Sequence, residues 1–464
     1  MLNRVFSVVI FVLLLANMLT LAFDIQVVNA AGTIYIRADG SIDPPSAPIS
    51  TLDNVTYTLT GNITSSDNGI VVEKDSIVID GAGHTIQGTG EGISLSGRSN
   101  VTIKNTYIKD CGVAIWLDYS SNNSIVGNSI TNNSYGIELY TNSLNNSIVG
   151  NNITDNQRGI WLEWWSNYNS IVGNVFVNDG LAAWDFYGNV VVDNFVNGKP
   201  LVYLEDVSDI VVEDAGQVLL VNCTRIKVEN LNLSNTAAGV QLWRTSYTTI
   251  AGNNITNNRY EGIRLRESSN NSIVGNNITG NNGYGIFLHG SSNHNSIAGN
   301  NIADCRYGIF LEDSSNNSIS QNNITASSFS NFGIELAYSS NNSIVENSIT
   351  NNSHGIVLDE ASDNRFYHNN FMDNNQQVSS DGYANVWDNG YPSGGNYWGD
   401  YNGVDANHDG IGDTPYVIDA SNADNYPLVS QYVIPEFSSF LIPPLFVIFT
   451  FFAVAAKRKA RRRR

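Results

Sequence analysis

Cysteine is scarce in this chain: Cys111, Cys223 and Cys305 stand far apart in 464 residues. That spacing excludes a disulfide framework and a zinc pattern, and the three read as buried small residues. Charge is also sparse, at 14% of residues, and it leans one way, with 23 Lys and Arg against 43 Asp and Glu. A net charge of −20 argues against nucleic acid and anionic lipid as partners. Long apolar runs are missing from the body and occur only at the two ends.

The first run, Val5 to Phe23, follows a single Arg and precedes a small-residue site at Ala30 and Ala31. It reads as a signal peptide over residues 1–30, which places the rest outside the cell. The second, FLIPPLFVIFTFFAVAA from Phe440, stops at KRKARRRR and reads as a transmembrane helix with its basic tail in the cytoplasm. The body is therefore expected at the cell surface, anchored by its C-terminus. Pro435-Glu436-Phe437, the apolar helix and the Arg cluster together resemble the PEF-type sorting signals of archaeal surface proteins. That resemblance implies processing by an archaeosortase, over residues 433–464.

What the body has in excess is Asn, Ser, Gly and Ile, arranged in a repeat. The phrase NNSIVGNNIT at Asn270 returns with its central Ile at 125, 148, 171, 250, 273, 297, 319 and 344. A second phrase, GI-x-L, follows about eleven residues later, at Gly136, Gly159, Gly262, Gly285, Gly308, Gly333 and Gly355. A period of about 23 residues means a solenoid. Alternating Ile and Leu put one face inward and x outward, and Gly-Asn suits left-handed corners. One coil cannot bury its Ile and Leu alone, so stacked coils form the core. The expected fold is all-β: a right-handed parallel β-helix over 71–375, with 31–70 holding an N-terminal cap and first strands. Residues 376–432 form a C-terminal segment.

These coils, with NFVNGKPLVYLEDVSDIVVEDAGQVLLVNCT and the closing NVWDNGYPSGGNYWGDYNG, resemble the NosD-type β-helix repeat proteins, most of all the archaeal surface members. The resemblance implies a β-helix, and through NosD itself a copper-related accessory role. Six histidines with no short mutual spacing except His289 and His294, and Met18 and Met372 beyond the initiator, supply little for copper.

Other chemistry is written on particular residues. Asp405, Asn407, Asp409 and Asp413, with Gly410 and the carbonyl of Ile411, match the first nine positions of a calcium loop, implying a structural calcium ion. Position 12 is Tyr416, not the bidentate Glu. Outward aromatics Trp116, Tyr140, Trp161, Trp164, Trp165, Phe287 and Phe310 suit stacking on sugar rings. Glu138 and Glu163, offset on successive coils, are the catalytic candidates if the protein is a polysaccharide lyase or glycoside hydrolase. Sequons at Asn122, Asn145, Asn152, Asn254, Asn270, Asn277, Asn316, Asn323, Asn341 and Asn351 are candidate glycosylation sites. The reading preferred from sequence is a non-catalytic envelope scaffold or carbohydrate-binding protein with extracellular glycans as partners. Enzyme and copper accessory are the alternatives.

Overall fold

The computed structural model describes residues 32–184, 187–326 and 331–434. The expected signal peptide over 1–30 and the expected sorting tail over 433–464, apart from residues 433 and 434, lie outside these. Among the described residues, no helix is long and apolar enough to cross a membrane. The chain is all-β, a right-handed parallel β-solenoid, with short strands stacked coil on coil.

Each regular coil has three strands. In the coil that begins at Asn271 they are Ser272–Val274, Asn277–Thr279 and Tyr284–His289. Ile273, Ile278, Ile286 and Leu288 point inward and are fully buried. Each pairs in register with its counterpart on the next coil, such as Ile273 with Ile297. The glycine of GI-x-L is needed for coil-to-coil approach, since a Cβ on Gly285 would lie 2.5 Å from the carbonyl oxygen of Gly308.

The asparagines have a second task that the turn argument leaves out. At the Gly275-Asn276 corner it is Gly275 that takes the left-handed conformation (φ 63°), while Asn276 turns inward and is buried. Its amide accepts from the backbone N–H and the Nδ2 of Asn253 at 2.9 and 3.0 Å. It donates to the carbonyl of Ile250 and to Oδ1 of Asn300, both at 2.9 Å. The same bonding continues through Asn322, Asn347, Asn369 and Asn396, with parallel ladders at other corners, so buried amides satisfy the backbone where the sheets break. A hydroxyl ladder, Thr245, Ser268, Ser292, Ser314 and Ser339, lines a further corner.

The coils start before residue 71: Ile34–Ile36 already pairs in parallel with Ile70–Val72. The segment between 37 and 55 adds the antiparallel strands Ile42–Asp43 and Ile49–Thr51 at the open end. At the far end Trp387 and Trp398 close the core, stacked on Phe366 and Phe371 at 4.2 and 4.5 Å. Asp424 terminates an Asn ladder there by accepting from the Asn396 N–H at 2.7 Å.

The solenoid is not one uninterrupted stack. Phe195–Val196 and Lys199–Glu205 form an antiparallel pair around Asn197 and Gly198, both at positive φ (51° and 80°). That is the Asn-Gly hairpin geometry. Strand direction reverses there, yet the strands continue in one 16-stranded sheet. A right-handed coil whose strands reverse must wind on the other side of the shared sheet. Side chains on successive positions bear this out. Leu201, Tyr203, Leu219, Val221 and Trp243 pack on the core of the first stack, while Val202, Leu204, Val218 and Leu220 enter that of the second. The second stack thus lies across the open end of the first.

Candidate functional site

Where the two stacks meet, the last strand of the first stack's GI-x-L sheet, Leu181–Ala183, has no following strand. Its backbone bonds instead to outward side chains of the second stack. Gln217 accepts from Leu181 N–H at 3.0 Å and donates to its carbonyl at 2.7 Å; Gln241 donates to the same carbonyl at 3.1 Å. Arg264 donates to the carbonyl of Ala183 at 3.3 Å, and Arg266 to that of Trp184. An edge that would otherwise recruit another chain is closed this way.

Next to this junction the outward column of the first stack reads Ser94, Trp116, Glu138, Trp161, Ala182, residue against residue. Glu138 is therefore set between two indoles. It is buried, at 6% exposure. Burial, with the negative charge of Glu163 adding to it, pushes its carboxyl up to about 8. Arg158, on the same strand as Trp161, lies 3.8 Å over the Trp161 ring and 4.4 Å from the centroid of Tyr260, a second-stack residue. It donates to the Tyr135 hydroxyl at 2.7 Å. Two buried donors here, Arg158 Nε and Trp161 Nε1, have no partner among the described residues.

The strand ending at Leu162 runs into a corner loop that carries Trp164, Trp165 and Tyr168, all more than half exposed. All three take left-handed backbone (φ 44°, 63° and 59°). One coil earlier, Asn142 and Asn145 occupy the corners of Trp165 and Tyr168, as the Ser143–Ser166 and Asn146–Asn169 bonds show. Bulky side chains are disfavoured at positive φ, so the aromatics stand there against local preference. The loop of the next coil adds Trp184 and Tyr187, whose N–H donates to Asn167 at 3.0 Å. Trp184 also walls an open cavity of about 720 Å³ with Arg266, Glu267, His289, Glu312 and Asp313.

The expected row of exposed aromatics thus holds only in part. Trp164 and Trp165 are exposed, and Trp116 and Tyr140 are half-buried and stacked on each other at 5.2 Å. Trp161 is buried under Arg158 and the second stack. Phe287 is also buried, and it stacks on Phe310 at 5.2 Å, nearly parallel. Beside them Tyr284, Tyr307, Phe332 and His354 form a continuous stack at 5.0 to 5.3 Å. Rings that face one another present their edges outward, so these faces are not open to a sugar.

The Asp405–Asp413 loop closes on its own backbone. Asp405 accepts from the N–H groups of Asp409 and Gly410 at 3.2 and 3.0 Å, Asp409 from Ile411 at 2.9 Å, and Asp413 from Ala406 at 2.7 Å. Asn407 donates to Asp409 at 2.9 Å, and Tyr416 turns away to bond Asp400. Among the described residues no group of three or more His, Cys, Asp or Glu gathers to hold a metal. The residues present do not fit a copper site. His289 accepts from Arg264 at 3.0 Å, and burial with the two flanking arginines depresses it to about 2. His368 is stacked on Tyr432 at 4.2 Å, and the three cysteines are buried separately.

All ten candidate sequon asparagines are exposed. Asn122, Asn145, Asn270, Asn316, Asn341 and Asn351 sit at left-handed corners. Asn254, Asn277 and Asn323 instead lie on a strand face, each donating Nδ2 to the coil before it at 2.8 to 3.0 Å.

A family model described as periplasmic copper-binding protein (NosD) matches residues 25–185, 179–329 and 285–403. No curated protein matches the chain. Solved structures similar to it include the periplasmic alginate epimerase AlgG, at 14% identity over 76% of this chain and 84% of that one, with a TM-score of 0.29. The A-module of the Azotobacter vinelandii mannuronan C-5 epimerase AlgE6 gives 13% identity, 71% and 87% coverage, and a TM-score of 0.34. The Dettilon tailspike protein gives 15%, 67% and 62%, and 0.33. The family match covers most of the chain and coincides with the stacked coils described above: this chain belongs to the NosD family.

Proposed function

We propose that this is an exported cell-surface protein that binds glycan chains at the junction of its two stacks. One observation carries the reading: five exposed aromatics, Trp164, Trp165, Tyr168, Trp184 and Tyr187, share two adjacent corner loops. An exposed aromatic patch needs a reason, and sugar rings, with one apolar face and a polar rim, supply it. The left-handed backbone under three of these rings supports selection for function over stability. Surface placement rests on the apolar segment at Val5–Phe23 and on the Pro435-Glu436-Phe437 tail, which in this proposal is a membrane anchor or an archaeosortase substrate. No step of this function runs through copper. A glycan-array screen of the full chain tests the reading: binding lost in the Trp164→Ala/Trp165→Ala variant supports it, and absence of binding in the wild type rejects it.

A further inference from the structure

We propose that the open cavity between Trp184 and the second stack decides which glycan the junction accepts, and that it takes a sugar residue carrying a free, protonated amino group. The proposal rests on the glycan-binding reading and names the ligand class of that site.

The cavity is built by the crossing of the two stacks. Its floor comes from the second stack, where Arg266, His289 and Glu312 end three successive GI-x-L strands. The corner residues that follow them, Glu267, Gly290 and Asp313, are all left-handed (φ 47°, 61° and 47°) and line it as well. Trp184 of the first stack is the facing wall. Arg264 holds its indole at 4.0 Å, and the ring keeps 36% exposure. At about 720 Å³ the space falls within the range of small-molecule sites, about 300–1,000 Å³.

One side chain on the floor is built to meet a ligand. His289 is 5% exposed, stacked on Phe287 at 4.5 Å. Its Nε2 accepts from Arg264, so the proton of the neutral imidazole sits on Nδ1. That N–H meets no acceptor among the described residues and is not sealed off, and the ring lines the cavity. It is a fixed, uncharged donor for a sugar oxygen.

The charges around it are unequal. Glu267 is shared by Arg244 at 2.8 Å and Arg266 at 3.6 Å, and Arg266 also donates to the Trp184 carbonyl. Half-buried Glu312 has no such balance: burial and the charge of exposed Asp313 both raise its carboxyl. Three carboxylates therefore line the cavity against one guanidinium. A uronate or sulfated sugar would set its anion against Glu312 and Asp313. An amino sugar places its ring on Trp184, a ring oxygen or hydroxyl on His289 Nδ1–H, and its ammonium between the two acids.

The test titrates the full chain at about pH 6, where the amine is charged, with a β-1,4-glucosamine tetramer, its fully N-acetylated form and a mannuronate tetramer. The expected result is glucosamine bound about tenfold more tightly than the acetylated form, with no binding of the uronate. Glu312→Gln/Asp313→Asn should erase that preference and leave affinity for the acetylated tetramer unchanged, which also shows that the variant is folded. Added salt should shrink the preference. His289→Phe, which keeps the ring stack, should weaken both glucosamine forms alike. Equal or tighter binding of the acetylated or uronate tetramer overturns the proposal and leaves the binding reading standing. A preference that survives in the double variant overturns it too, since it would then come from the net charge of −20 at large. Failure to bind any tetramer rejects this proposal and the reading beneath it together.

Discussion

The two stacks share one scaffold but use the same outward position differently. In the second stack the x residues of successive GI-x-L strands include Phe287 and Phe310, which stack on each other and on Tyr284. In the first stack the matching column is Trp116, Glu138, Trp161, a carboxyl between two indoles. Neighbouring aromatics consume each other's faces and stabilise the wall. An acid inserted into such a column is largely removed from water, which costs stability and raises its pKa. Position in the repeat does not decide role; the neighbours one coil above and below do.

The contrast can be broken from either side. In the second stack, Phe287→Ala should cost about 3–5 kcal/mol, the range for a buried Phe, with glycan affinity unchanged. Chemical denaturation and a binding titration on the same sample check both halves. In the first stack, stability should depend on pH through its buried acids. Glu138 is raised from 4.5 to about 8, and Asp179, which ends the Asn133–Asn156 ladder, from 3.8 to about 7. The folded state then holds more protons than the unfolded one across those windows, so stability falls as pH rises from about 4 to 8. Glu138→Gln and Asp179→Asn should each flatten that fall and raise stability at pH 8 by a few kcal/mol, read by denaturation at pH 5 and pH 8. A smaller effect belongs to the outer amide ladder: Asn277→Ala removes exposed hydrogen bonds and should cost under about 1 kcal/mol. A larger loss there would show that the outer ladder, and not the buried one through Asn276, holds the coils.

The repeat made the coils legible. Ile273, Ile278, Ile286 and Leu288 can be placed inward from period and alternation alone, and all are fully buried. The reversal at the junction also had a local signal, Asn197-Gly198 between apolar residues, but the continuing period concealed it. The inward role of Asn276 was hidden for a different reason: Asn is a turn residue anyway, so nothing in the phrase separates the corner from the ladder. The site was less legible still. Trp164 and Trp165 could be marked as candidates, whereas Trp161 and Phe287 looked equally exposed. What buries Trp161 is Tyr260, almost a hundred residues later, brought there by the second stack crossing the first. Such lateral packing leaves no period in the chain. Glu138 likewise looked like any solvated strand-face charge until its neighbours enclosed it.

The central claim is that the glycan surface lies at the junction loops and not along the aromatic wall of the second stack. It is tested most directly by measuring glycan affinity of the full chain beside Trp164→Ala/Trp165→Ala and Phe310→Ala. At about 1 kcal/mol for each indole removed from a sugar face, the first variant should bind at least tenfold more weakly, and Phe310→Ala should bind as the wild type does. Unchanged affinity in the tryptophan variant, with weaker binding in Phe310→Ala, would contradict the account.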